Sequence, residues 1–159
     1  MHIRRVGDAE IDELVRLSLL AWAPVFFSFE QVLGAAIFGR IYPDWRSGQE
    51  AVVREMCGES ENRVTWVAEL DRAIAGFVVI ELNVETGVGE IQLLAVHPEH
   101  QNRGIGTELN TFALRQMKDA GMKLAVVGTG GDSGHAPARR SYEKAGFTAL
   151  PLVRYYKDL

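Results

Sequence analysis

The chain has 159 residues, with 17 Lys plus Arg against 21 Asp plus Glu and a net charge of −4 at pH 7. That length predicts a single domain, 1–159, able to bury a core without disulfides or metals. The acidic excess argues against a general nucleic-acid binder, and the 47% hydrophobic share excludes a disordered chain. Cys57 is the only cysteine, so neither an internal disulfide nor a cysteine-built zinc site is possible, and a reducing, cytoplasmic setting is the expectation. No apolar run follows the charges of Met1–Val6, and no uninterrupted apolar stretch approaches about 18 residues, so neither a signal peptide nor a membrane span is expected.

In chain order, His2–Val6 is a short strand candidate. Asp8 is a candidate N-cap for a first helix, with Ile11, Leu14, Val15, Leu19 and Trp22 at helical spacing and Pro24 as its stop. Ser28 with Gln31, and Ser47 with Glu50, have capping-box spacing and predict two more helices, running towards Gly39 and Gly58, with Tyr42–Trp45 as loop between them. Val64–Ala68, Ala73–Leu82 and Gly89–Val96 are β-rich runs separated by turn residues, which predicts an antiparallel meander. A long amphipathic helix follows from Gly104 to Ala120. Leu124–Val127 then has the continuous apolar character of a strand buried on both faces. Pro137–Ala145 is the last helix, and Phe147–Tyr156 is mostly extended, broken at Pro151. The fold class is α+β with a mixed sheet.

The strongest local signal runs from Leu94 to Thr107: a strand ends, a short turn follows, and a helix starts at Gly104-Ile105-Gly106. A helix start exposes unpaired N–H groups and a partial positive charge, and glycines let an anion approach closely, which suits a pyrophosphate. Arg103 adds a charge, and Gln101 and Thr107 add neutral donors. Leu109 stands where a dinucleotide fingerprint needs its third glycine, and no Gly-Lys-Ser/Thr follows, so neither the Rossmann nor the P-loop pattern fits.

Gln101-Asn102-Arg103-Gly104-Ile105-Gly106 resembles the Gln/Arg-x-x-Gly-x-Gly/Ala signature of the GNAT superfamily of N-acetyltransferases, and Leu93–Pro98 resembles the strand and turn before it. Tyr142-Glu143-Lys144-Ala145-Gly146-Phe147, about 40 residues on, resembles the family's second hallmark. The resemblance covers the chain from about Val64 onward, while the N-terminal helices match only in kind. It implies a strongly twisted mixed sheet flanked by helices, with the fourth and fifth strands splayed around the pantetheine arm of acetyl-CoA as co-substrate. Gln101, Asn102, Arg103, Gly104, Ile105, Gly106 and Thr107 would hold the pyrophosphate, and the backbone of Leu94, Ala95 and Val96 would pair with pantetheine and polarise the thioester carbonyl. The same resemblance implies an acceptor amine on a small molecule, peptide or protein, with a homodimer as a possible assembly.

Acetyl transfer needs a neutral amine held about 3–3.5 Å from the thioester carbon, donors for the developing oxyanion, and a proton for the leaving thiolate. The resemblance makes Tyr142 the candidate acid, its phenol being a donor at neutral pH. It makes Glu90, four residues before Leu94, the candidate base, with water relay as the other route and Gln92 as a positioning group on the same face. By sequence alone, Tyr142 is equally a packing residue and Glu90 a solvent-facing one. His97 and His100 are weaker base candidates, His135 is a helix-entry residue, and no spacing suggests a metal. The glycine-rich Gly128–Gly134 departs from the family, which more often has an Asn after this strand. The segment is expected to be a plain loop, with Asp132 as a possible contact for a cationic amine. Trp22, Phe26, Phe27, Tyr42 and Trp45 are core or acceptor-side candidates. A noncatalytic acyl-CoA-binding module and a transferase for another acyl group are the alternatives to an acetyltransferase.

Overall fold

The computed structural model describes residues 1–159. Its elements are β1 (His2–Arg5), α1 (Ile11–Ile41), α2 (Trp45–Cys57), β2 (Arg63–Leu70), β3 (Ala73–Asn83), β4 (Val88–Val96), α3 (Ile105–Asp119), β5 (Leu124–Val127) and α4 (Ala136–Lys144). The strands form one sheet in sequence order, β1 to β4 antiparallel and β5 parallel to β4. This is the expected α+β architecture, and the meander lies where its β-branched runs and turns place it.

Alternation along the strands sorts the core onto two faces. On one, Leu14, Val15 and Leu17 of α1 and Val53 of α2 pack on Val67, Phe77, Val79 and Ala95. On the other, Ile105, Leu109, Ala113 and Met117 of α3 pack on Ala68, Ala75, Val78, Ile80 and Ile91. Burying each large aliphatic side chain contributes about 1.5–3 kcal/mol, so these two layers hold the sheet between the helices. Gly76 sets how closely α3 approaches: a Cβ there would stand 2.7 Å from the Ala95 carbonyl oxygen and 3.1 Å from Leu109.

The N-terminal helices differ from expectation. Gly7 and not Asp8 holds the N-cap position, and its N–H donates to the Glu10 carboxylate at 2.7 Å. Pro24 does not stop α1, which continues to Ile41 with its break at Gly34 (φ 77°, ψ 158°). An interior proline costs about 3 kcal/mol, but Val25, Phe26 and Ser28 are buried just beyond it, and their packing carries the helix through. Ser28 is therefore a buried mid-helix residue and caps nothing. Asp44 caps α2 in place of Ser47, accepting from the Ser47 N–H at 3.2 Å. By length and composition alone the span Asp8–Ile41, with a mean hydropathy of 1.4 in an 18-residue window, is long and apolar enough to cross a membrane, while its Leu14, Val15 and Leu17 pack on the sheet.

Two differences lie at the other end. β5 is an edge strand, with Leu124 57% and Val126 37% exposed, so it is not buried on both faces. Phe147–Tyr156 forms no strand. Pro151 lacks an N–H for a ladder, and the segment runs to the end of α1, where Asp158 pairs with Arg40 and Tyr156 lies by Arg154 and Tyr42. Leu150, Leu152, Val153 and Tyr155 are left exposed.

Candidate active site

β4 and β5 pair only from Val88–Ile91 against Leu124–Val127. Beyond Ile91, β4 continues to Val96 with no neighbour on that side, so the two strands part. Gln92 is the extra residue of a bulge here, since Val79 opposes Leu93 while Ile80 opposes Ile91. A bulge bends its strand and re-aims side chains. The parting opens into a cavity of about 700 Å³, lined from both faces of the sheet: Trp22 and Val25 of α1, Ile91–Val96 of β4, the turn before α3, and Ser141 and Tyr142 of α4.

At one end of this cavity lies the turn into α3. Asn102 (φ 60°) and Gly104 (φ 83°) adopt left-handed backbone, and the first bond of the helix is Glu108 N–H to the Gly104 carbonyl at 3.0 Å. The N–H groups of Ile105, Gly106 and Thr107 have no backbone acceptor. No atom stands within 4 Å of a Cβ built at Gly104, and only Val96 at 3.6 Å does at Gly106, so the backbone is open to a ligand. The Gln101 side chain donates to the Val96 carbonyl at 3.1 Å, which ties turn to strand. Unpaired donors, a helix start and open glycines fit a pyrophosphate. The Nδ1 atom of His100, buried without a partner beside them, is a further polar group that a ligand can satisfy.

Tyr142 lines the same cavity, its ring edge-on to Phe147 at 5.8 Å between centroids. Burial pushes its phenol up to about 12, so it is protonated at neutral pH. The neighbouring Ser141 accepts from the buried Asn110 of α3 at 3.2 Å, which fixes α4 beneath the tyrosine.

Of the residues singled out in the sequence, Leu94, Ala95, Val96, Gln101, Asn102, Gly104, Ile105, Gly106, Thr107 and Tyr142 all line the cavity. Arg103 is exposed on the turn, outside the lining. Glu90 is half-buried one residue before the lining begins, still in the paired part of β4, where it opposes Glu81 of β3. Gln92 reaches the cavity and donates to Glu81 at 3.2 Å. Tyr42 and Trp45 do not line it. Trp45 stacks on Phe26 at 4.4 Å and Tyr42 on Phe29 at 5.7 Å, an aromatic cluster where α1 meets α2.

Sequence reasoning missed a cluster after β5. Asp132 and His135 meet with Oδ1 and Nδ1 at 2.6 Å, and both side chains are largely buried. Burial raises the Asp132 carboxyl, but hydrogen bonds from His135 and Ser28 outweigh it and hold the group below its ordinary value. The Gly134 N–H donates to Ser28 Oγ at 3.1 Å and to Asp132 Oδ2 at 3.0 Å, so the buried Ser28 of α1 anchors the loop. The Asp-x-x-His spacing was visible. Its closure onto Ser28, over a hundred residues away, was not.

The family model described as the acetyltransferase (GNAT) family matches residues 29–147. Among curated proteins, the chain is similar to the mycothiol acetyltransferase of Streptomyces avermitilis, 32% identical over 92 residues, covering 58% of this chain and 29% of that protein. It is also similar to the mycothiol acetyltransferase of Rhodococcus jostii, 27% identical, covering 92% of this chain and 52% of that protein. The chain thus spans about half or less of the length of these relatives. Among solved structures, an aminoglycoside antibiotic 6'-N-acetyltransferase from Acinetobacter haemolyticus superposes with TM-score 0.68 at 16% identity, over 100% of this chain and 99% of that one. AAC(6')-Iy in complex with a bisubstrate analog, CoA-S-monomethyl-acetylneamine, superposes with TM-score 0.66 at 16% identity, over 99% and 97%. At these identities the superpositions establish the fold.

Proposed function

The chain belongs to the acetyltransferase (GNAT) family, and from that premise we propose that it transfers an acetyl group from acetyl-CoA to a primary amine of a small molecule or peptide. The observation that carries the reading is the parting of β4 and β5 over one cavity, with a pyrophosphate-type helix start at one end and a protonated, half-buried Tyr142 in its wall. Gln101–Thr107 hold the pyrophosphate. The unpaired edge of Leu94–Val96 offers backbone groups to pantetheine and to the carbonyl oxygen of the thioester. Tyr142 donates to the leaving sulfur.

A lysine-like amine with pKa about 10.4 is charged at neutral pH, so it must shed one proton to solvent before it attacks, and the new carbon–nitrogen bond then releases a second proton to a base. On the β4 wall Glu90 acts only through water, since it stands outside the lining, with Gln92 positioned to hold that water. The opposite wall carries a second candidate base. The solved bisubstrate complex and the names of the curated relatives support an amine on a small molecule. A homodimer is part of the proposal: the open edge of β5 and the exposed Leu150, Leu152, Val153 and Tyr155 are unpaired surfaces that a second copy can cover.

The test is thiol release from acetyl-CoA with three acceptors: sisomicin, spermidine and an alanine-initiated peptide. Acceptor-dependent release with one of them is expected. Release with none, while acetyl-CoA binds, would leave a noncatalytic acyl-CoA-binding module. Faster turnover of propionyl-CoA would move the assignment to another acyl group.

A further inference from the structure

We propose that Asp132 and His135 form the base dyad that receives the acceptor amine's proton, a reading that deepens the acetyl-transfer assignment and rests on it. His135 lines the cavity beside α1, and its ring lies 5.5 Å from that of Phe29. Its Nδ1 is 2.6 Å from Asp132 Oδ1. A neutral imidazole that donates Nδ1–H to a carboxylate carries its lone pair on Nε2. That nitrogen has no partner within the protein, yet it is not among the polar atoms sealed from solvent. A residue serving only to staple the loop has no use for an open ring nitrogen in the cavity wall.

The glycine-rich loop is built around this pair. A Cβ at Gly130 would overlap Asp132 Oδ1 and His135 Nδ1, and one at Gly134 would lie 2.9 Å from Asp132 Oδ2, Ser28 Cβ and Val25 Cα alike. Arg139 of α4 donates to the carbonyls of Gly130 and Asp132 at 2.6 and 2.7 Å and so fixes the loop from the other side. Two of the four glycines in Gly128–Gly134, Gly130 and Gly134, are thus positions where the pair needs room, while Gly128 and Gly131 stand in open space.

His135 immediately precedes α4, and Tyr142 follows seven residues later. His135 holds the N-cap position of α4 and Tyr142 stands about two turns, roughly 10 Å, further along its axis, and both line the cavity. A thioester and an attacking amine fit between them. In the step, the amine nitrogen bonds to the carbonyl carbon and the carbon–sulfur bond breaks. One amine proton passes to Nε2, and the sulfur gains one from solvent while it accepts a hydrogen bond from Tyr142. The products are one amide and one thiol, and His135 returns its proton to solvent. Asp132 touches no substrate and is a positioning residue.

The experiment compares the wild type with H135A, H135Q and D132N, using acetyl-CoA and whichever of sisomicin, spermidine or the alanine-initiated peptide gives turnover. His135→Ala is expected to lose 10²-fold or more in kcat with acetyl-CoA affinity unchanged, the range for a lost general base. Added imidazole should restore part of that rate in H135A, which a structural role would not do. Asp132→Asn should lower kcat with little change in KM. Turnover of H135A within threefold of wild type, or a loss that imidazole does not touch while H135Q keeps its rate, overturns the proposal. A wild type that binds acetyl-CoA but acetylates none of the three acceptors refutes the transferase reading itself, a failure distinct from one confined to the His135 variants.

Discussion

Replacing Tyr142 by Phe removes one oxygen from the cavity wall. The phenol is held near 12 by burial. A leaving thiolate has an ordinary pKa of about 8.5. Even an ordinary phenol, with a pKa of about 10, is a weaker acid than the thiol, so outright proton transfer from phenol to thiolate runs uphill. On the proposed reaction, Tyr142 is therefore a hydrogen-bond donor to the departing sulfur, and the final proton arrives from solvent. A hydrogen bond to a charged group is worth about 1.5–3 kcal/mol. Tyr142→Phe should then lower kcat by about 10- to 150-fold, short of the full range open to a general acid. The phenol oxygen has no hydrogen-bond partner within the protein, so the variant should melt within about 0.5 kcal/mol of wild type and bind acetyl-CoA unchanged. The assay is steady-state thiol release at saturating acetyl-CoA, with a parallel melt. Wild-type turnover should also show no alkaline decline near the ordinary tyrosine pKa of about 10. A rate within twofold of wild type, or a decline centred near 10, would refute this reasoning.

Three further outcomes follow from named contacts. Hydrogen bonds from Arg4 and the Gly7 N–H pull the Glu10 carboxyl down to about 2, so its stabilisation is complete above the ordinary carboxylate range and is lost as pH falls towards 2. Arg4→Ala should flatten that acid loss in a melt series, by no more than about 1 kcal/mol because the pair is partly solvated; an unchanged pH dependence would remove the pair from the account. Gly104→Ala meets no atom within 4 Å but must hold φ 83°, so it should cost about 1 kcal/mol of stability and weaken acetyl-CoA binding; a neutral melt would show the turn relaxing elsewhere. Leu152→Asp and Val153→Asp, both on the exposed segment, should convert a wild-type dimer to monomer by light scattering, and a monomeric wild type would refute that interface.

The fold was legible where local pattern and global packing agree. The β-rich runs Val64–Ala68, Ala73–Leu82 and Gly89–Val96, cut by turn residues, gave strands that the structure places within a residue or two in the meander, because their apolar side chains fill the helix-covered layers on the two faces of the sheet. The turn into α3 was legible because Asn102 and Gly104 take left-handed backbone that few other residues adopt, and Gly106 leaves the helix start open. Pro24 misled, because burial of Val25, Phe26 and Ser28 overrides the local cost of a proline. Ser28 misled for the related reason that its hydroxyl serves a loop distant in sequence and not its own helix start. Leu124–Val127 looked doubly buried because periodicity cannot tell a central parallel strand from an apolar edge strand. Asp132 and His135 were each noticed without being joined, since only the tertiary closure of the loop on α1 turns a local spacing into a buried pair.

The most direct test of the central claim is a thermal melt of the protein with and without acetyl-CoA. If the β4–β5 cavity and the α3 turn bind it, acetyl-CoA at 100 times its dissociation constant should stabilise the fold by about 2.7 kcal/mol, a rise in Tm of about 5–10 °C for a domain of this size. An unchanged Tm at millimolar acetyl-CoA would contradict the assignment of the turn, and with it the reaction built on that site.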